Sequence, residues 1–271
     1  MGNLLRKLAL GASLLVGAVG CGRNEAPKKS GNLEAKVVAT QKAPEVTESN
    51  RFLREFPEKI PGARSVKKYE VPGAKDCLVH IGQKHYVSLG GWEVEKDPDV
   101  KKVYQEFIAG VNRNQENVAK IIYHLHDRDK DLEILNEGYF KPLSRKKINR
   151  DYSLGIVHAS RKLDEDKNVV LKKYPYLPGA ELFASLAGIA KLSPAEDEVI
   201  YERAKKGDKE AMYDGREDYV LKKAWEDRKP YSYVVFGSKH DFKDNIDRWN
   251  SKKPDKKMSL IRVDPEEENG R

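Results

Sequence analysis

From residue 74 onward, short apolar runs alternate with stretches of helical period, and that alternation limits the fold more than any other feature. "DCLVHIG" (76–82) is a continuous apolar run, as a strand buried on both faces requires. A helical stretch follows Pro98 and Asp99, with Val100, Val103, Phe107 and Val111 on one face. "NQENVAKIIYHLHDR" continues it, placing Val118, Ile121, Ile122 and Leu125 at i, i+3, i+4, i+7. "DLEILNEGY" (131–139) reads as the next strand, and "SLGIVHAS" fits either a short strand or a helix start. "GAELFASLAGIAKLSPAEDEVIYERAKKG" reads as helix, short strand, turn at Pro194 and charged helix. "REDYVLKKAWEDR" is helical, "YSYVVFG" (231–237) a strand, and "DFKDNIDRWN" a further helix, with "PEEENGR" frayed at the end. Alternation of this kind predicts an α/β fold, a mostly parallel central sheet flanked by helices, over 51–271.

The N-terminus has a different grammar. Arg6 and Lys7 form a short basic region, and Leu8 to Gly20 is uncharged but too short to span a bilayer. Ala18-Val19-Gly20-Cys21 is similar to a bacterial lipobox, with Ala18 where leucine is usual. Residues 1–20 are thus expected to be a lipoprotein signal peptide and Cys21 the lipidated residue, facing away from the cytoplasm; an ordinary cleaved signal with an incidental cysteine is the alternative. Residues 21–50 are polar, punctuated by proline and poor in aromatics, as a flexible tether would be. With Cys21 lipidated, Cys77 is left without a disulfide partner and reads as a small core residue.

Charged residues make up 35% of the chain against roughly 25% in ordinary globular proteins, and the net charge is +8. The two signs are interspersed and no basic stripe is interleaved with aromatics, so nucleic acid is not the expected partner. HExxH, P-loop, GxGxxG and GxSxG patterns are all missing from the sequence.

Three strands end in residues fit for acid–base or metal chemistry. The first runs into Gly82 and His85, the second into Asn136, Glu137 and Gly138, the last into Gly237, His240 and Asp241. Ligands of open α/β sheets bind at the carboxyl ends of the strands, so His85, Glu137 and His240 are expected on one rim. Two imidazoles and a carboxylate suit a divalent metal such as Mn, Zn or Fe, with Glu137 either a ligand or a general base. Glu196 in "LSPAED" is a fourth candidate, after a short strand. Blander roles suit the neighbours: Asp241 as a helix N-cap, His124 and His126 at the surface or rim, His80 and His158 as bonded strand histidines.

These residues also carry a resemblance to a known superfamily. "VHIGQKH", "NRNQENVAKIIYHL" leading to "LEILNEGY", "GAELFASLAGIAKLSPAED", "REDYVL" and "YVVFGSKHDF" are similar to the TraB/Tiki, ChaN-like and erythromycin-esterase-like proteins over about residues 74–263. By that resemblance His85, Glu137 and His240 are site positions and Arg216 is the helical arginine beside them. Gln83 stands where the esterase-like and ChaN-like members usually have glutamate, so the TraB/Tiki pattern is the nearer one. The resemblance implies a metal-dependent, peptidase-like hydrolase acting on a peptide or small molecule. Its alternative implication is a surface lipoprotein binding haem or metal without catalysis, with Tyr86 or Tyr139 as an iron ligand.

Overall fold

The structure, a computed structural model, describes residues 47–85, 98–227 and 229–267. The signal segment, Cys21, the tether up to residue 46, Tyr86 and the chain end from residue 268 lie outside the described residues. Of the segment expected to be a tether, Thr47–Asn50 are described. They open helix α1 (Glu48–Glu55), which Thr47 caps by accepting from the Asn50 amide.

A six-stranded sheet follows, made of β1 (Ala63–Tyr69), β2 (Asp76–Gln83), β3 (Glu133–Asn136), β4 (Lys191–Pro194), β5 (Tyr231–Gly237) and β6 (Met258–Pro265). Its order is β1-β6-β2-β5-β3-β4, parallel throughout except for β1, which runs antiparallel to β6. The α/β expectation holds. β1 and β6 were not legible as strands: β1 is a half-exposed, charged edge, and Arg262 interrupts the apolar run of β6.

Helices cover both faces. On one lie α1, the C-terminal half of α2 (Pro98–Arg128) and α5 (Ala180–Leu186), packed on Val79, Ile81, Ile134 and Val235. Val118, Ile121, Ile122 and Leu125 of α2 are all inaccessible to solvent, the stripe that the helical period marks out. The other face carries α7 (Arg216–Glu226) and α8 (Phe242–Lys252), on Leu78, Leu135, Val234 and Phe236. The N-terminal half of α2 packs on α3 (Arg145–Leu163) and α4 (Lys167–Lys173) in a separate helical cluster. α3 settles the ambiguous "SLGIVHAS": Ser144 caps the start, Ile156, Ala159 and Leu163 face inward, and Asp164 ends it with φ 52°. His158 is therefore a helix residue, not a strand residue. Helix α6 (Glu198–Lys205) follows β4, and no described helix is long and apolar enough to cross a membrane.

Candidate active site

β2, β5, β3 and β4 are consecutive neighbours in the sheet, and their carboxyl ends lead to His85, the Gly237–His240 turn, Glu137 and Glu196 respectively. Gly237 pairs in register with Gln83, and Asn136 with both Val235 and Pro194, so the strands stop at nearly one level. The turn after β5 is tied down by Ser238 N donating to Gln83 O and His240 N to Gly237 O.

Gly237 is the floor of the site. A Cβ there would lie 3.3 Å from His240 Cδ2, 3.4 Å from His85 Nε2 and 3.6 Å from Glu137 Oε2. All three residues expected on one rim converge on that point. Its φ is unexceptional; what glycine provides is room.

Glu137 is held on every side. His85 Nε2–H and the Gly237 amide each donate to Oε2 at 2.6 Å, and Arg216 Nη2 donates to Oε1 at 2.5 Å. Arg216 also clamps Glu196, through Nε to Oε2 (3.1 Å) and Nη2 to Oε1 (2.6 Å). Glu196 Oε1 accepts in turn from the Gly138 amide at 2.7 Å. The guanidinium lies 5.0 Å from the Phe236 ring centroid, so one buried cation bridges two buried carboxylates over an aromatic face. Arg216 begins α7 straight after a π-helical turn, Ala211–Gly215, of the kind often found beside functional residues.

His240 has its own carboxylate. Its Nδ1–H donates to Glu217 Oε1 at 2.8 Å, with both side chains under 10% exposed. That bond fixes the tautomer and leaves Nε2 for a ligand. Arg262 on β6 steadies the same turn, donating to the Ser238 carbonyl (2.9 Å) and the His240 carbonyl (3.3 Å) while Asp264 orients its Nε. The predicted N-cap role of Asp241 is also present, its carboxylate accepting from Lys243 N.

The electrostatics follow from this packing. Desolvation opposes the Glu137 charge, but the His85 and Arg216 cations outweigh it and hold the carboxyl well below the usual range. For His85, desolvation disfavours the cation, yet the Glu137 charge and hydrogen bond raise its pKa above the ordinary value. Its side chain, 40% exposed, is the open member of the group. Glu181 on α5 behaves oppositely: burial pushes it up to about 7, opposed by its own backbone amide and by His85 and reinforced by Glu137.

Glu181 escaped the sequence reading, Asn136 entered it only as the end of its strand, and Glu217 only as a residue of "REDYVL". A glutamate in the first turn of a helix ordinarily complements the helix dipole in solvent, and nothing local marks these as buried. Of the bland assignments, Cys77 is buried in the core and desolvation pushes its thiol far up. His80 is inaccessible, and desolvation lowers it to about 3, so it stays uncharged; it is only half bonded, with Nε2 3.4 Å from the Phe236 carbonyl and Nδ1 without a partner among the described residues. His124 and His126 are half-buried along α2. Tyr139 donates its hydroxyl to Asp151 (3.2 Å), with Lys147 Nζ 4.9 Å from its ring centroid.

Among the described residues, no three His, Cys, Asp or Glu side chains stand as a preformed metal cage. The donor set nonetheless suits a cation: two imidazoles and a carboxylate converge on Gly237, and Glu217 presets the tautomer of one of them. Comparison with protein-family models, with curated proteins and with solved structures gives no match.

Proposed function

We propose that this protein is a hydrolase with a peptide-type substrate, working at the carboxyl ends of β2, β5 and β3. The observation that carries this reading is the convergence of His85, Glu137 and His240 on the space over Gly237. His85, His240 and Glu137 would hold a divalent cation, Mn, Zn or Fe, which when bound supplies an activated water at neutral pH. The remaining work falls to the chain's own side chains. Without the cation, the His85–Glu137 pair holds a proton on a short hydrogen bond, and a cation taken up through the same nitrogen and oxygen would displace that proton. Glu217 keeps His240 in one tautomer, and Arg216 balances Glu137 and Glu196 while placing a fixed positive charge where an oxyanion develops. Of the two tyrosines in the haem reading, Tyr139 has its hydroxyl committed to Asp151, and Tyr86 lies outside the described residues.

The test is metal content and peptide hydrolysis of the purified protein. His85→Ala and His240→Ala should each weaken metal binding about tenfold or more, the double variant being little worse than either single one. Chelator should abolish hydrolysis, and His124→Ala should change neither property. Failure of the wild type to take up Mn, Zn or Fe would overturn the metal half of this reading.

We further propose that lipid on Cys21 anchors the protein to the extracytoplasmic face of a membrane, a reading supported by the lipobox-like Ala18–Cys21. Cys21→Ala should move the protein out of the membrane fraction or leave residues 1–20 uncleaved; normal cleavage with unchanged fractionation would overturn it.

A further inference from the structure

An open cavity of about 610 Å³ stands on the β6 side of this site. One wall is α2, where Glu106, Gly110, Asn117 and Lys120 fall on a single helical face. The other is made by Lys84, just past the end of β2, and by Glu266 and Glu267, just past the end of β6. β2 and β6 are parallel neighbours with Ile81 opposite Val263, so the cavity lies at the carboxyl ends of the strands, as the site does. β2 serves both, since Lys84 lines the cavity and His85, the next residue, belongs to the site. The walls are fixed by hydrogen bonds. The Lys84 amide donates to Asn114 Oδ1 (2.7 Å), and its carbonyl accepts from Gln115 Nε2 (2.8 Å). Glu266 donates its amide to the Gly62 carbonyl (2.8 Å) and accepts from Asn117 Nδ2 (3.1 Å) through its own carbonyl.

Phe107, Gly110 and Val111 give the cavity an apolar stretch. Gly110 sits inside a 31-residue helix without a positive φ, and a Cβ there would meet nothing within 4 Å. Neither backbone conformation nor packing calls for glycine, which weakens a helix relative to alanine. What the missing side chain leaves is open space. The charges then select the occupant. The chain carries a net charge of +8, yet carboxylates outnumber cations four to three around this cavity. Lys84 pairs with Glu267 (3.3 Å), Lys120 pairs with Glu116 (3.1 Å), and Arg113 is engaged as well. Glu106 and Glu266 are exposed and have no ion pair among the described residues. Two unpaired carboxylates beside an apolar stretch complement a long side chain with a cationic head, whose methylenes lie on Phe107 and Val111.

We propose that this cavity is a subsite for a basic side chain, lysine or arginine, of a peptide bound next to His85. That the peptide is also a substrate rests on the hydrolase reading above; the binding itself needs no metal.

The experiment therefore uses the full chain in the presence of chelator. N-acetylarginine methylamide, titrated by NMR, should bind the wild type, and uncharged N-acetylnorleucine methylamide about tenfold more weakly, the difference that two solvent-exposed ion pairs make. Glu106→Gln and Glu266→Gln should each weaken arginine amide binding about two- to fivefold with Tm unchanged. Gly110→Leu fills the open space. It should remove detectable binding while raising Tm by about 2–4 °C, since leucine is the better helix former. A filled cavity that still binds the arginine amide would overturn the subsite, and so would a lowered Tm, which would mean that packing claims the space. Absence of arginine amide binding to the wild type, equal binding of the norleucine amide, or full affinity in both glutamine variants would overturn it as well. The two readings fail separately. Arginine amide binding by a protein that hydrolyses no peptide would sink the hydrolase and keep the subsite, whereas hydrolysis without arginine amide binding would sink the subsite alone.

Discussion

Arg216 is the residue on which the local charge balance turns. Two carboxylates, Glu137 at 11% side-chain exposure and Glu196 at 0%, share its guanidinium. Removing one partner from a buried ionic group leaves uncompensated charge, which costs about 3–5 kcal/mol. Arg216→Met should lower the free energy of urea unfolding by that order, and Arg216→Lys should recover only part, since an ammonium cannot bridge two carboxylates in the same plane. The triple variant Arg216→Met, Glu137→Gln, Glu196→Gln should return most of the stability, because no charge is then stranded. Glu181 gives a second expectation at this scale. Its carboxyl is raised from 4.5 to about 7 by burial, with His85 and Glu137 the charged groups acting on it. Between those pH values the folded protein keeps a proton that the unfolded chain has released, so stability falls as pH rises through the window, by on the order of 3 kcal/mol. Urea titrations from pH 4.5 to 7 should show this slope in the wild type and a flatter one in Glu181→Gln. His85, raised above 6.5, adds its own loss only at higher pH, and Glu137, depressed below 4.5, loses its contribution only in more acid solution.

At the scale of elements, the site is a property of strand ends. Gly237 stops β5 where His85 and Glu137 arrive from the strands on either side of it. Gly237→Ala needs no change of backbone, and its methyl would press on His240 Cδ2 and His85 Nε2 at 3.3 and 3.4 Å, distances that a few tenths of an ångström of movement relieve. The variant should fold with a stability change of about 1 kcal/mol or less while losing most of its metal uptake and hydrolysis; a stable variant with full function would show that the space over Gly237 is not used. This convergence was legible in the sequence because the strands that carry it are interior and parallel. Their apolar runs are continuous, and the residues that follow them are conspicuously polar. β1 and β6 obey other rules. β1 carries Arg64, Lys67 and Lys68 along a sheet edge, and β6 carries Arg262 on a face where that side chain serves the His240 turn. What made β6 hard to read as a strand is part of what steadies the site. The acids that back the histidines and flank the sheet were hidden for a related reason, since Glu181 and Glu217 are buried by tertiary packing that no local pattern announces.

At the scale of the whole molecule, the folded body begins earlier than its hydrophobic pattern suggests. The first described element is α1, which starts at Glu48 behind its cap Thr47. Sequence pattern places the start at Arg51, within that helix, because Thr47–Asn50 are polar and look like linker. They are nevertheless integral: Thr47 Oγ1 donates to the Ala74 carbonyl at 2.6 Å, Ser49 and Asn50 are buried, and the Arg51 amide donates to the Thr47 carbonyl. That start secures Leu53 and Phe56 in the core and stacks Phe52 on Tyr231, with centroids 4.0 Å apart and rings 9° from parallel. A chain beginning at residue 51 loses the cap, worth about 1 kcal/mol, and the first turn of an eight-residue helix that cannot persist without its packing. Phe52, Leu53 and Phe56 then fray together, and burial of a large apolar side chain is worth about 1.5–3 kcal/mol. A protein of residues 43–271 should therefore match the full chain in urea unfolding, whereas 51–271 should fall by about 2 kcal/mol or more. β2 lies under α1 and leads to His85, so the shorter protein should also show faster amide exchange along β2. Equal stability and equal exchange in the two proteins would mean that α1 is an ornament on the sheet rather than part of the platform that holds the site.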